Sequence, residues 1–184
     1  GVNPLDFLTD DILQDERVIG IGEIGLDYHW GDDNKKAQIA LFEQQLDIAR
    51  KHKMPVAIHT RDAEEDTAKI LSGDVCGVMH CFTSSWDLAK KMLDRGFMFS
   101  ASGILTFKNA GDIRDTFAKI PNDRIVIETD SPYCAPVPYR GQHCRPAMVI
   151  ETARVLADVK GISMAEIEHI LEEIKKEDSS NGED

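Results

Sequence analysis

The chain lacks the features that would assign it to several large classes of protein. No apolar run among its 184 residues is long enough to span a bilayer, so we expect a cytoplasmic protein without membrane contact. No CxxC pair occurs among Cys76, Cys81, Cys134 and Cys144, which disfavours a zinc knuckle and predicts reduced, buried thiols. No GxGxxG follows the first apolar run, which disfavours a dinucleotide-binding fold.

Basic residues are also in deficit. The chain has 21 Lys and Arg against 33 Asp and Glu, which gives a formal net charge of −12. A protein that holds DNA by overall electrostatic attraction is usually basic. If nucleic acid is the substrate, metal ions and a few local Arg or Lys side chains must therefore attract it.

The chain does contain a repeated alternation of short apolar runs and longer amphipathic stretches. The apolar runs predict buried parallel strands at Val18–Ile24, Pro55–His59, Gly77–Phe82, Phe97–Ser102 and Ile125–Asp130. The stretches between them predict helices, with start signals at Ser84–Asp87 and Ser163–Glu166. This alternation predicts an α/β fold, either an open doubly wound sheet or a closed (β/α) barrel. We predict one domain over residues 1–175 and a disordered acidic tail over residues 176–184.

Four ionisable side chains close four of the predicted strands, namely Glu23, His59, His80 and Asp130. The carboxyl ends of parallel strands form the active face of α/β proteins, so we expect these groups to converge. Imidazole and carboxylate are ligands of divalent cations such as Zn, Mn and Mg, and two cations can hold a hydroxide and clamp a phosphate.

Each of the four residues also has an ordinary structural explanation. A histidine in a strand is often a hydrogen-bonded core residue, and Glu23 could be the partner in a buried ion pair. Asp130, which precedes Ser131 and Pro132, could simply shape a turn. Their shared placement at strand ends favours a metal site over these separate explanations.

Five segments together resemble the motif series of TatD-family metal-dependent hydrolases: GEIGLDY, PVAIHTRDA, GVMHCFT, SGILTFKNA and ETDSPYCAPVPYRG. The resemblance covers residues 1 to about 161 and implies an amidohydrolase-like (β/α) TIM-type barrel. It implies a DNase, often a 3′→5′ exonuclease, that uses two divalent cations (Mg, Mn or Zn). Single-stranded DNA or 3′ ends are then the expected partner, and we expect a monomer.

The resemblance also implies roles for the four residues. Glu23 resembles the ligand that bridges the two cations, His59 and His80 resemble ligands of one cation, and Asp130 resembles a ligand of the other. Glu23 and Asp130 are then the expected catalytic residues. Charge and loop position further suggest Arg61 and Arg140 as contacts to substrate phosphate, with surface ion pairs as the alternative.

The chain departs from the family pattern in three places. The family's first strand carries an HxHxD motif that this sequence lacks, so we expect N-terminal truncation and about five of the eight barrel strands. Asn3 stands where a His is usual, and Cys144 and Arg145 stand where Asn and Glu or Gln are common. Three functions therefore stay open: a DNA phosphodiester hydrolase, an ester or amide hydrolase acting for example on aminoacyl-RNA, and a non-catalytic fragment.

Overall fold

The computed structural model describes residues 4–31, 33–71, 73 and 75–180, and Asn3 lies outside these ranges. The chain forms two compact units, and the predicted single domain over residues 1–175 stays a prediction. Unit 1 contains the chain up to His80 together with Asp94–Phe97, and unit 2 contains Cys81–Leu93 and the chain from Met98 onward.

Unit 1 is built on three parallel strands, β1 Ile21–Asp27, β2 Val56–Arg61 and β3 Gly77–Met79. Gly25 of β1 pairs with His59 of β2, and Ile58 of β2 pairs with Met79 of β3. The helices of this unit are a 3₁₀ helix at Pro4–Phe7, α1 Asp10–Leu13, α2 Lys35–His52 and α3 Glu64–Ile70. One face of α2 is apolar: Phe42, Leu46 and Ala49 are buried, and Ile39 on the same face is partly exposed.

Unit 2 contains the parallel strands β4 Met98–Ala101 and β5 Ile125–Ile127. Its α-helices are α4 Trp86–Leu93, α5 Gly111–Lys119, α6 Val149–Lys160 and α7 Met164–Ser180, and its 3₁₀ helices are Gly103–Thr106, Asn122–Arg124 and Pro146–Met148. Its core includes the ring of Phe82, which packs edge-on against Phe99 and Phe117 with centroids 5.0 Å and 6.4 Å away. Parallel strands that alternate with helices confirm the predicted α/β class.

A lysine on α6 donates hydrogen bonds to the carbonyl oxygens at the carboxyl end of α5. The Nζ atom of Lys160 donates hydrogen bonds to the carbonyl oxygens of Phe117, Ala118 and Ile120 at 3.2, 3.2 and 2.6 Å. The last carbonyls of a helix have no partner within the helix itself, so a cation at this position stabilises the end of α5. Partial burial lowers the pKa of Lys160 below its ordinary value.

Four of the predicted strand ends are wrong. β3 ends at Met79 and β5 ends at Ile127, three residues before the predicted Phe82 and Asp130, so Asp130 follows its strand and does not close it. β1 continues to Asp27 and β2 continues to Arg61, so Glu23 and His59 lie inside their strands. Polar side chains can stay inside a strand when other polar groups satisfy them, which removes the cost of burying them. Here Glu23 and His59 contact each other, and polarity therefore does not mark the end of either strand.

The predicted helix signals have mixed outcomes. The capping box at the start of α7 is confirmed, because Ser163 N donates to Glu166 Oε2 at 2.7 Å and Glu166 N donates to Ser163 Oγ at 3.2 Å. At α4 the hydroxyl that accepts from a first-turn amide is Ser85, at 3.4 Å from Leu88 N, and not the predicted Ser84.

The predicted disordered tail begins too early. Residues 176–180 continue α7 to Ser180, while residues 181–184 lie outside the described part of the chain. An ion pair one helical turn apart, Glu173 with Lys176 at 2.6 Å, is compatible with helix in a segment whose composition is highly polar.

The four cysteines, all within the described residues, are free thiols, as predicted. Burial is confirmed only for Cys144, since Cys81 and Cys134 are partly exposed and Cys76 is exposed.

Candidate functional site

Three of the four predicted site residues come together in unit 1. The Oε1 atom of Glu23 lies 2.8 Å from Nδ1 of His59, and its Oε2 atom lies 3.7 Å from Nε2 of His80. Glu23 and His59 face each other from β1 and β2, and His80 follows β3 directly. The three side chains are 48%, 32% and 20% exposed, so solvent and a ligand can reach them.

A fourth residue, Asp27, belongs to this group, although it was not among the predicted site residues. Its Oδ2 atom lies 3.1 Å from Nε2 of His59, so the imidazole stands between two carboxylates. Residues four apart in a strand point to the same face, which places Asp27 on the side of Glu23. This spacing within GEIGLDY was the available signal, and it was missed because β1 was expected to end at Ile24.

The contact between Glu23 and His59 stabilises the charged forms of both groups. The hydrogen bond from His59 is the main cause that holds the pKa of Glu23 below its ordinary value. The same bond is the main cause that raises the pKa of His59, with a smaller contribution from Asp27. Burial opposes both shifts but is the weaker influence.

Asp130 lies in unit 2, in the segment that follows β5. Its Oδ2 atom accepts a weak hydrogen bond from the Cys134 thiol at 3.5 Å. Its predicted association with Glu23, His59 and His80 stays a prediction.

Two cysteines near Asp130 are held as neutral thiols. Burial raises the pKa of Cys81 to about 12, and the Sγ atom of Cys81 lies 3.0 Å from the hydroxyl of Ser102. Burial, followed by the charge of Asp130, raises the pKa of Cys134 to about 11. Neither thiol is therefore a nucleophile at neutral pH, because only the thiolate reacts.

The two arginines that were predicted to contact phosphate lie in different units. Arg61 ends β2, is exposed, and has its guanidinium carbon 5.9 Å from the ring centroid of Trp30. Arg140 lies over the ring of Phe107 at 3.7 Å and donates to the carbonyl oxygen of Ala135 at 3.2 Å. The surface ion pair was the alternative explanation, and for both arginines the contacts seen are with aromatic rings. Their role toward phosphate stays a prediction.

The chemistry of the group in unit 1 fits a divalent cation. One carboxylate with an imidazole at each of its two oxygens supplies the nitrogen and oxygen donors that Zn, Mn, Fe or Ni prefer. Within the described residues, however, no three His, Cys, Asp or Glu side chains form a ready-made group for a metal ion.

Two positions where the sequence departs from the family pattern lie within the described chain. Cys144 is buried, and its backbone amide donates to the carbonyl oxygen of Pro132 at 2.9 Å. Arg145 is exposed and precedes the 3₁₀ helix Pro146–Met148.

None of the described helices has the length and apolar character needed to cross a bilayer.

Comparison with known proteins adds independent information. The family model described as TatD related DNase matches residues 4–177. The metal-dependent hydrolase YcfH of Escherichia coli K12 is 42% identical over 181 residues, which cover 92% of this chain and 68% of YcfH. The metal-dependent hydrolase BU355 of Buchnera aphidicola is 45% identical over 189 residues, which cover 92% of this chain and 72% of BU355.

A solved structure gives the same result for the fold. The crystal structure of YjjV, a TatD homologue from Escherichia coli K12, aligns with a TM-score of 0.84 at 27% sequence identity. The alignment covers 92% of this chain and 67% of YjjV. The chain thus spans about two thirds of the length of its relatives, and the predicted α/β fold of the TIM-barrel kind is confirmed.

Proposed function

Because the chain belongs to the TatD-related family of metal-dependent hydrolases, we propose that it hydrolyses phosphodiester bonds of DNA and releases nucleotides from 3′ ends. The observation that carries this proposal is the contact of one carboxylate, Glu23, with two imidazoles, His59 and His80. The description of the matching family model, which names a DNase, supports DNA as the substrate.

The residues of the chain divide the work in the following way. Glu23, His59 and His80 would hold one divalent cation in unit 1, and Asp130 would be a ligand of a second cation. When bound, the cations lower the pKa of a water molecule and neutralise charge on the phosphate. Asp130 accepts a proton from the attacking water, and Cys134 donates a hydrogen bond to its Oδ2 atom.

The surface beside Arg61 supports a single-stranded substrate. Trp30 is 84% exposed and lies next to the Arg61 guanidinium, which combines an aromatic face with a positive charge. Proteins that bind single strands stack bases on aromatic side chains and neutralise the backbone with nearby cations. Arg61 and Arg140 then contact phosphate, and the net charge of −12 disfavours a long duplex.

A carboxylic ester or amide is the second candidate substrate. The same net charge favours a small or flexible substrate over a long duplex, and the same cations can activate water for attack on a carbonyl carbon. An aminoacyl-RNA ester is one such substrate, and fold alone does not separate it from DNA.

The decisive experiment measures nucleotide release from a 3′-labelled single-stranded oligonucleotide in Mg²⁺ or Mn²⁺. Replacing Glu23 by Gln keeps the size of the side chain and removes its charge, so we expect at least about a 100-fold loss of rate. Glu65→Gln is the matched control, because Glu65 is exposed and pairs only with Lys69 among the ion pairs described, at 2.7 Å. This control is expected to keep the wild-type rate.

Two results would contradict the proposal. Hydrolysis of carboxylic esters without nucleotide release, measured side by side with cations present, would favour the second candidate. If neither substrate is hydrolysed and elemental analysis finds no bound cation, the chain acts as a non-catalytic module.

A further inference from the structure

Asp27, beside the proposed cation site, is held through both its backbone and its carboxylate. The side-chain amide of Gln38, on α2, bonds to the backbone of Asp27 on both sides: Asp27 N donates to Gln38 Oε1 at 2.8 Å, and Gln38 Nε2 donates to Asp27 O at 2.7 Å. The backbone N–H of His29 donates to Asp27 Oδ1 at 2.9 Å. Only Oδ2 is then directed to Nε2 of His59, at 3.1 Å.

We propose that Asp27 is a positioning residue, which keeps the proton of the His59 imidazole on Nε2 and leaves Nδ1 to bind the cation beside Glu23. The inference rests on the proposed function, because it needs a cation at Glu23. Its geometric basis is that Nδ1 of His59 faces Glu23 at 2.8 Å while Nε2 faces Asp27. An imidazole nitrogen binds a cation only without a proton, and a carboxylate at the other nitrogen selects the required tautomer.

This arrangement predicts an unusual result for the most conservative substitution. In Asp27→Asn, the His29 amide still needs an acceptor, so the amide oxygen of the new side chain stays at the Oδ1 position. Its NH₂ group then faces Nε2 of His59 and donates to it. The proton of the imidazole moves to Nδ1, where it blocks the cation. Asp27→Asn is therefore expected to weaken cation binding at least as much as Asp27→Ala.

The experiment titrates the whole chain with Mn²⁺ alone and measures the dissociation constant by calorimetry. We expect Asp27→Ala and Asp27→Asn to raise it about 10- to 100-fold. Gln38→Leu, which removes both bonds to the Asp27 backbone, is expected to raise it less, by about 3- to 10-fold. Thermal unfolding of each variant shows whether it is folded, and Gln38→Leu keeps the test available if an Asp27 variant does not fold.

A matched control comes from a second carboxylate–imidazole pair in unit 1. Asp10 Oδ1 lies 3.1 Å from Nε2 of His52, the same separation as in the Asp27–His59 pair. Asp10→Asn is expected to leave the dissociation constant within about threefold of wild type. A general effect of removing a carboxylate next to a histidine would show in this control as well.

A double-mutant cycle separates positioning through His59 from a structural role. With His59 already replaced by Ala, Asp27→Ala is expected to change the dissociation constant by less than about threefold. The inference is overturned if Asp27→Asn binds Mn²⁺ like wild type, or if Asp27→Ala has its full effect without His59. Because the readout is cation affinity, a failure to cleave DNA would count against the proposed substrate and leave this inference intact.

Discussion

At the scale of single residues, the proposed site depends on pairs of groups that fix each other's charge. His59 stands between Glu23 and Asp27, and its contact with Glu23 favours the charged forms of Glu23 and His59. In unit 2, Asp130 has the opposite effect on its neighbour Cys134, because its negative charge disfavours the thiolate. In unit 1, an ionised carboxylate therefore lies beside an imidazole. In unit 2, the partly buried thiols of Cys81 and Cys134 stay neutral.

The raised pKa values of two thiols predict the order of cysteine alkylation. With pKa values of about 12 for Cys81 and about 11 for Cys134, about a thousandth or less of either thiol is ionised at pH 8. Exposed Cys76 should therefore react first with iodoacetamide at pH 8, as measured by peptide mass mapping. The rates at Cys81 and Cys134 should rise about tenfold per pH unit between pH 8 and 10. Equal rates at Cys134 and Cys76 at pH 8 would contradict this assignment.

The site residues show how far sequence reasoning reaches at this scale. Glu23, His59 and His80 could be selected because each is a polar group in or beside an apolar run, and the structure brings these three together. Asp27 could not be selected while β1 was expected to end at Ile24. Which nitrogen of His59 faces which carboxylate depends on side-chain rotation, and no spacing in the sequence encodes it.

At the scale of secondary-structure elements, the site requires close approach of β1 to β2. Gly25 of β1 pairs with His59, and a Cβ atom added at Gly25 would lie 1.9 Å from the carbonyl oxygen of His59. Gly25 also has a φ of 141°, which side chains other than glycine rarely adopt. Gly25, which lies midway between Glu23 and Asp27, is therefore needed for β1 and β2 to pair.

Gly25→Ala is expected to lower the free energy of unfolding by at least about 2 kcal/mol, because it adds strain and pushes β1 away from β2. Urea unfolding measures the change. Gly31→Ala is the matched control: Gly31 has a φ of 115°, but no described heavy atom lies within 4 Å of an added Cβ. The control measures only the cost of placing alanine at a positive φ. If Gly25→Ala lowers the free energy of unfolding no more than Gly31→Ala does, the contact between the added Cβ and the carbonyl oxygen of His59 is unimportant.

The elements themselves could be predicted where one face is apolar. α2, α5, α6 and α7 follow the helical periodicity of their buried residues, and all five strands overlap the predicted runs. α3 could be expected only from the alternation of strands and helices, because Glu64–Ile70 has two buried residues, Thr67 and Ala68, and no apolar stripe. Its three acidic residues in the first turn favour the helix through the helix dipole, a weaker signal than burial.

At the scale of the whole molecule, cation binding should be visible as stability. A ligand that binds only the folded chain stabilises it by about 2.7 kcal/mol at a concentration 100 times its dissociation constant. For a chain of this size, that corresponds to an increase in Tm of about 5–10 °C. We expect Mn²⁺ to raise Tm by this amount in differential scanning fluorimetry, and EDTA to reverse it.

Glu23→Gln serves as the control for this shift, because it removes the carboxylate that contacts both imidazoles. An equal increase in Tm with the variant would place the responsible cation elsewhere in the chain. No increase with the wild-type chain would contradict cation binding at Glu23.

The fold class could be derived from the alternation of strands and helices, and the likeness to YjjV at a TM-score of 0.84 confirms it. The division into two compact units could not be derived, because apolar periodicity shows which face of an element is buried but not which elements share a core.

The bonds of Gln38 have a consequence for the tolerance of the protein to mutation. Its amide makes three hydrogen bonds, two to the backbone of Asp27 and one to Asn34 Oδ1 at 2.8 Å, so both of its hydrogens and its oxygen are used. Glu lacks the two donors, Asn is shorter by one methylene, and Leu has neither donor nor acceptor. In a saturation library ranked by Mn²⁺ affinity, glutamine should rank first at position 38, although this is a partly exposed polar site on the surface of a helix.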